Sequence, residues 1–239
     1  MTKPTIVRVG EERWRQAQEF ELKFAQEAVG LGDDFNHWWA EAFGAYQAIR
    51  GMRLPDVLEV GCGPHTNVRL ILPLIDSQRL WLEDPLIESY VRLKDVRRFA
   101  RIFPTSRPVT AATLQKTRQA VLLPEPLEEL SLPDRSIDLV VCINVLDHVR
   151  DAELCLRQMQ RVLRPRGVLV LGQDLSNAED LESCPESWTD TGHPIKLDGD
   201  FLEGQLAGLT PLFKSILPRE QGRNPRCHYG TYLLIARKS

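Results

Sequence analysis

The chain has 239 residues, 43% hydrophobic and 26% charged, with a net charge of −3. Those values argue against a disordered chain, and the slight acidic excess argues against a dedicated nucleic-acid binder. The five cysteines (Cys62, Cys142, Cys155, Cys184 and Cys227) are scattered with no CxxC pair, which argues against a disulfide scaffold and a structural zinc site.

The opening MTKPTIVRVGEERWRQ has no apolar core of signal-peptide length. No stretch approaches the ~20 apolar residues of a membrane span, so the expectation is a cytoplasmic protein. Residues 10–29 read as a helix, with Trp14, Ala17, Phe20, Phe24 and Ala28 at helical spacing. Gly30 and Gly32 break it, and Asp33 or Asp34 caps a second helix running to about residue 49. Phe35, Trp38, Trp39, Phe43 and Tyr46 make that helix unusually aromatic: a face packed on the main domain, a lid over a ligand cleft, or both. Residues 1–52 are expected to be a helical cap, and 53–239 the main domain.

From Pro55 onward the pattern alternates strand, loop and helix. Strands are expected at 56–60, 80–83, 120–123, 137–143 and 168–172, and helices at 66–75, 86–100 and 151–163, with Pro73 kinking or shortening the first. Such alternation implies parallel strands and right-handed crossovers. Strands at 212–217 and 230–236, joined by a polar loop, make an antiparallel end. The expected fold is α/β: a doubly wound, Rossmann-like, mostly parallel seven-stranded sheet with an antiparallel C-terminal strand. A long connection at 97–118 holds Arg97, Arg98, Arg101, Arg107, Lys116 and Arg118 and no acid; it reads as a solvated face or as an anion-steering patch.

The informative stretch is VLEVGCGPHTN, where the first strand turns into the first helix. Cofactors in open α/β sheets bind at this edge. Gly61 and Gly63 permit a tight turn and close backbone approach, with Cys62 between them. A dinucleotide fingerprint needs a third glycine where Thr66 stands, so that match fails. Glu59 suits a cationic amine better than a pyrophosphate, which it would repel. In LWLEDP, Asp84 lies 25 positions after Glu59, at the end of the second strand and before Pro85. A carboxylate there takes both hydroxyls of a ribose, with Glu83 as the alternative register.

EVGCG, EDP, EELSLPDRSIDLVVCINVLDHVRD and RVLRPRGVLVL, in this order and spacing, resemble the class I S-adenosylmethionine-dependent methyltransferase superfamily, especially its small-molecule branch. The resemblance covers roughly residues 54–175. It implies S-adenosyl-L-methionine as cofactor, Glu59, Gly61 and Gly63 as the first motif and Asp84 as the ribose acid. It also implies an adenine-flanking segment at 125–130, where Leu127 supplies backbone and apolar contact and Glu125 is the nearest acid, and Asn144 at the end of strand four. Pro64 and His65 depart from the family's small third residue.

Methyl transfer from a sulfonium requires alignment, plus a base only for a hydroxyl or protonated amine. His148, in NVLDHV, is the base candidate by position, or else a loop-stabilising residue, with Asp147 orienting it or starting the helix. His193, in WTDTGHPIK, forms with Trp188 and Asp190 a candidate acceptor site, or an ordinary turn. His37 reads as interfacial, and the histidine spacing shows no metal motif, so no metal is expected. The reading is methyl transfer to O or N of a small molecule or saccharide in a biosynthetic pathway. The alternatives are methylation of RNA or protein, and a non-catalytic relative.

Overall fold

The computed structural model describes residues 5–31, 36–92, 120–176 and 191–239. The whole 97–118 connection and the candidates Trp188 and Asp190 lie outside them, as do Asp33, Asp34 and Phe35. The sheet has seven strands: β1 (Asp56–Val60), β2 (Arg79–Glu83), β3 (Ala120–Leu123), β4 (Ile137–Ile143), β5 (Leu163–Leu175), β6 (Leu209–Pro218) and β7 (Gly230–Lys238). Their order is β3-β2-β1-β4-β5-β7-β6. The first five run parallel, and β7 is antiparallel to both its neighbours. The expected fold is the observed one.

Every residue of β1 is buried, as befits a parallel strand covered on both faces. Near the start of the strands, Arg164 bridges Asp56 at 2.8 Å and Asp138 at 2.6 Å, and Arg79 also pairs with Asp56. Burial alone would raise the Asp56 carboxyl, but the two guanidinium groups hold it below its usual value. This clamp ties β1 to β4 and β2 at one end of the sheet and leaves the other end for ligands.

Among the described residues the helices are α1 (Glu11–Leu31), α2 (Asn36–Ala42), α3 (Val68–Ile71), α4 (Ile87–Tyr90), α5 (Ala152–Val162) and α6 (Gly199–Leu206). Asp151 caps α5 by accepting from Leu154 N at 2.9 Å, and Ala152, Cys155, Leu156, Met159 and Val162 form its buried stripe. Two expected helices come out shorter. The second one stops at Ala42, because Gly44, Ala45 and Tyr46 all take left-handed φ and the chain continues as a 3₁₀ turn over Gly44–Ile49. The one expected at 66–75 is reduced to α3 and a 3₁₀ turn holding Pro73, whose ring cannot continue a helix. Only 87–90 of the expected 86–100 helix falls among the described residues as helix.

The N-terminal aromatic segment is part of the core. Phe43 stacks on Tyr46 at 5.3 Å between ring centroids and meets Phe213 of β6 at 6.0 Å. A Cβ on Gly172 would lie 2.9 Å from the Trp39 ring, so this close approach needs glycine in β5. Burying each such aromatic contributes about 1.5–3 kcal/mol. His37 is exposed on α2.

Candidate active site

The strand order reverses between β1 and β4, and the candidate residues gather at the carboxyl ends of these strands and of β2. There a cavity of about 460 Å³ opens, within the range of small-molecule and cofactor sites. Of the expected cofactor residues, Gly61, Cys62, Gly63, Asp84, Pro85, Leu127 and Asn144 line it.

The glycine loop is shaped from below by acids. Gly61 and Gly63 sit at φ +55° and +56°, where side chains are strained. The two differ in surroundings. A Cβ on Gly61 would come within 2.5 Å of both Val145 methyls, whereas one on Gly63 would meet nothing within 4 Å. Gly61 is therefore demanded by packing, and Gly63 opens the cradle. Gly61 N donates to Glu83 Oε2 at 3.2 Å, and Gly63 N donates to Asp84 Oδ2 at 3.0 Å. Asp84 Oδ1 also accepts from Leu86 N at 2.8 Å. Burial pushes the Asp84 carboxyl up to about 6 against those backbone donors, and burial with the Asp84 charge pushes Glu83 well above the usual range. Both carboxylates line the cavity.

Glu59 departs from the expectation. It is 1% exposed and its oxygens accept from Asn67 N at 2.6 Å and Val68 N at 3.3 Å, capping α3 instead of facing the cavity. Burial, opposed by those two donors, pushes its pKa up to about 8. Glu59 is thus a strut that fixes where the loop enters the helix. Glu125 likewise turns aside, accepting from Ser131 N at 2.8 Å and Ser131 Oγ at 2.9 Å. Its neighbour Glu128 reaches the cavity wall instead, while accepting from Arg150 N at 2.6 Å and Asp151 N at 2.9 Å. Asn144 ends β4 with φ 56°, a value asparagine tolerates better than most residues.

The cavity is also lined by both histidine candidates, brought together with Asp147. Their rings lie 4.5 Å apart between centroids. His148 Nε2 is 3.6 Å from Asp147 Oδ1, and His193 Nε2 is 3.7 Å from Asp147 Oδ2. The backbone explains the meeting. Ile195 N donates to Asp147 O at 3.2 Å, and the N-terminal segment pairs with both loops, through Ile6 with Lys196 and Arg8 with Asp151. Helix α1 fastens from above: Arg13 Nη1 donates to Thr191 O at 2.8 Å, and Gln18 Nε2 donates to His148 O at 3.2 Å. Burial alone would lower the His148 pKa, but the Asp147 and Glu21 carboxylates hold it above its usual value. Burial would raise Asp147, and the two imidazoles bring it below the usual carboxylate range.

Residues not anticipated from sequence also face the cavity, among them Glu21 from α1, Glu128, and Arg223 and Asn224 from the β6–β7 connection. Burial raises the Glu21 carboxyl, with Asp147 adding to the effect. Arg223 is held by Asp174 at 2.8 Å. Glu21 looked like any charged residue between apolar positions, and only the packing of α1 over the sheet edge turns it inward.

The acid-lined loop suits a nucleoside that carries positive charge, and its carboxylates repel a pyrophosphate. Residues 93–171 match the family model described as a methyltransferase domain. No curated protein matches the chain. Among solved structures, the [4+2]-cyclase SpnF is 16% identical with a TM-score of 0.61, covering 99% of this chain and 98% of that one. The N-methyltransferase NodS from Bradyrhizobium japonicum, in complex with S-adenosyl-L-homocysteine, is 17% identical with a TM-score of 0.54, covering 90% and 98%. YcgJ from Bacillus subtilis is 15% identical with a TM-score of 0.58, covering 82% and 97%. Part of the chain, residues 93–171, thus resembles a methyltransferase domain, and the chain as a whole shares its fold with these solved structures.

Proposed function

We propose that the chain is an S-adenosylmethionine-dependent methyltransferase whose acceptor is a small molecule, a saccharide included, methylated on O or N. The observation that carries this reading is one cavity lined both by the glycine loop with Asp84 and by His148 and His193, which lie on either side of Asp147.

The cofactor supplies a methyl group already activated on a sulfonium. Asp84 accepts the ribose hydroxyls, Gly63 lets the loop backbone lie against the ligand, and Leu127 and Pro85 give apolar contact beside them. Cys62 is buried in the loop, and its N–H, donated to Glu83 O at 3.1 Å, helps fix the turn. Trp14, Phe20, Phe24 and Trp39 form apolar wall on the side of α1 and α2 and exclude water from the transfer. The histidine pair holds and activates the acceptor's nucleophilic atom, which is where alignment is decided. A cavity of this size, roofed by α1, fits a small acceptor. The basic connection at 97–118, which motivated the RNA alternative, lies outside the described residues. No described helix is long and apolar enough to cross a membrane.

The test is transfer of a labelled methyl group from S-adenosylmethionine to pools of hydroxylated and amino metabolites, saccharides, total RNA and denatured protein. Label in the small-molecule or saccharide pool, lost in His193→Ala, is expected. Label confined to RNA or protein would overturn the acceptor reading. A fold that also houses a cyclase makes an absence of label in every pool equally decisive against transfer.

A further inference from the structure

We propose that Asp147, His148 and His193 bind one divalent transition-metal ion at the cavity wall, with open positions for an oxygen of the acceptor. Each residue offers one ligand atom, and these atoms lie within 4.8 Å of one another. The separations of 3.6 Å from His148 Nε2 to Asp147 Oδ1 and 3.7 Å from His193 Nε2 to Asp147 Oδ2 are too long for hydrogen bonds. The two imidazoles face different Asp147 oxygens, so a small rotation of the carboxylate is needed for one oxygen to approach both at the roughly 3.4 Å that separates tetrahedral ligands about 2.0–2.1 Å from zinc.

The tautomer of His148 points the same way. Its Nδ1 lies 2.9 Å from Gly192 O, so this nitrogen carries a proton and donates it to the carbonyl. Nε2 then faces an Asp147 oxygen, a position filled either by a bound metal ion or by the ring's own second proton. Metal-bound histidines are commonly oriented by just such a bond from the second ring nitrogen to a backbone carbonyl.

The third observation is Asp147 itself. It is 1% exposed and faces the two imidazoles, with Gln173 as a neutral side-chain donor beside it. A buried carboxylate in that state calls for a compensating charge. His228 lies edge-on to His193 at 6.1 Å between ring centroids, with its Nε2 3.7 Å from Asp174. Two imidazole nitrogens and one carboxylate oxygen suit zinc, cobalt or iron(II) and disfavour calcium and magnesium, which prefer all-oxygen sites. Three protein ligands leave coordination positions open, as in catalytic sites. The bound ion, rather than an imidazole, then takes the acceptor oxygen and lowers its pKa.

That last role rests on the methyl-transfer reading, whereas ion binding does not. Chelator-stripped protein is titrated with cobalt(II), following its visible d–d absorption, and with zinc(II) by calorimetry. One equivalent of each is expected, with visible bands of a four- or five-coordinate site. His193→Ala and His193→Gln should each weaken binding by at least ~100-fold, the upper end of what outer-shell changes alone cost, and melt like the parent. No stoichiometric binding to the parent, or equal binding to both variants, would overturn the proposal and leave a proton as the compensating charge. S-adenosylhomocysteine is titrated into the same stripped sample, so loss of the ion site and loss of the cofactor reading give separate signals.

Discussion

Replacing Asp84 with asparagine separates its two tasks. The carboxylate accepts from Gly63 N at 3.0 Å and Leu86 N at 2.8 Å, and each oxygen keeps a lone pair toward the cavity. Asparagine offers one acceptor oxygen and turns an NH₂ against the other backbone donor. The lost backbone bond should cost about 0.5–1.5 kcal/mol of stability. The lost charge-assisted bond to the ribose should cost about 1.5–3 kcal/mol of binding, a ten- to about 150-fold rise in Kd. The wild-type carboxyl titrates at about 6, raised by burial. Its ionised form is the one that accepts two hydroxyls, so affinity holds above pH 6 and falls by about tenfold per unit below it. Glu21, Glu83 and His148 also line the cavity, but they are common to parent and variant. The difference between the two proteins therefore reports Asp84 together with the Glu83 carboxyl that its charge raises. Calorimetry with S-adenosylhomocysteine at pH 5, 6, 7 and 8 measures it. Equal affinity in the variant, or the same pH slope in both proteins, would refute the reasoning.

Gly61→Ala should destabilise the fold by about 2–5 kcal/mol, from left-handed φ at about 1–2 and from crowding against Val145 at about 1–3. Adding Val145→Ala should show a coupling of about 1–3 kcal/mol in denaturant melts, and simple additivity would contradict the clash. Glu59→Gln leaves one backbone donor of α3 poorly served and should lower stability by about 1–3 kcal/mol. A drop in S-adenosylhomocysteine affinity with unchanged stability would instead make Glu59 a ligand-binding residue. Arg223→Met strands Asp174, which is 1% exposed, and should cost about 3–5 kcal/mol in a thermal or urea melt. A melt unchanged from the parent would show that Thr231 and His228 suffice to hold that carboxylate.

The sheet was legible because its strands are apolar runs between turn residues: 56–60, 120–123 and 137–143 coincide with β1, β3 and β4. The glycine loop and Asp84 were legible for a related reason, since motif and strand end lie close together in sequence. Glu59 shows where that logic stops. Its position fits an amine ligand and a helix cap equally, and only burial with two backbone donors decides between the two arrangements. The aromatic stretch after residue 35 was ambiguous between core and lid, because hydrophobicity says that a face is covered but not by what. Left-handed Ala45 and Tyr46 carried no signal at all, since neither residue favours that conformation. His148 and His193 could be named one at a time, but their meeting over Asp147 depends on the N-terminal segment pairing with two separate loops. For the same reason a metal-like donor set escaped any reading of spacing.

The most direct test of the central claim is a crystal structure with S-adenosylhomocysteine. The account predicts the ligand in the cavity between β1 and β4, its ribose hydroxyls on Asp84 and its backbone contacts at Gly63. A ligand bound elsewhere, or no binding where a nicotinamide dinucleotide binds instead, would contradict it.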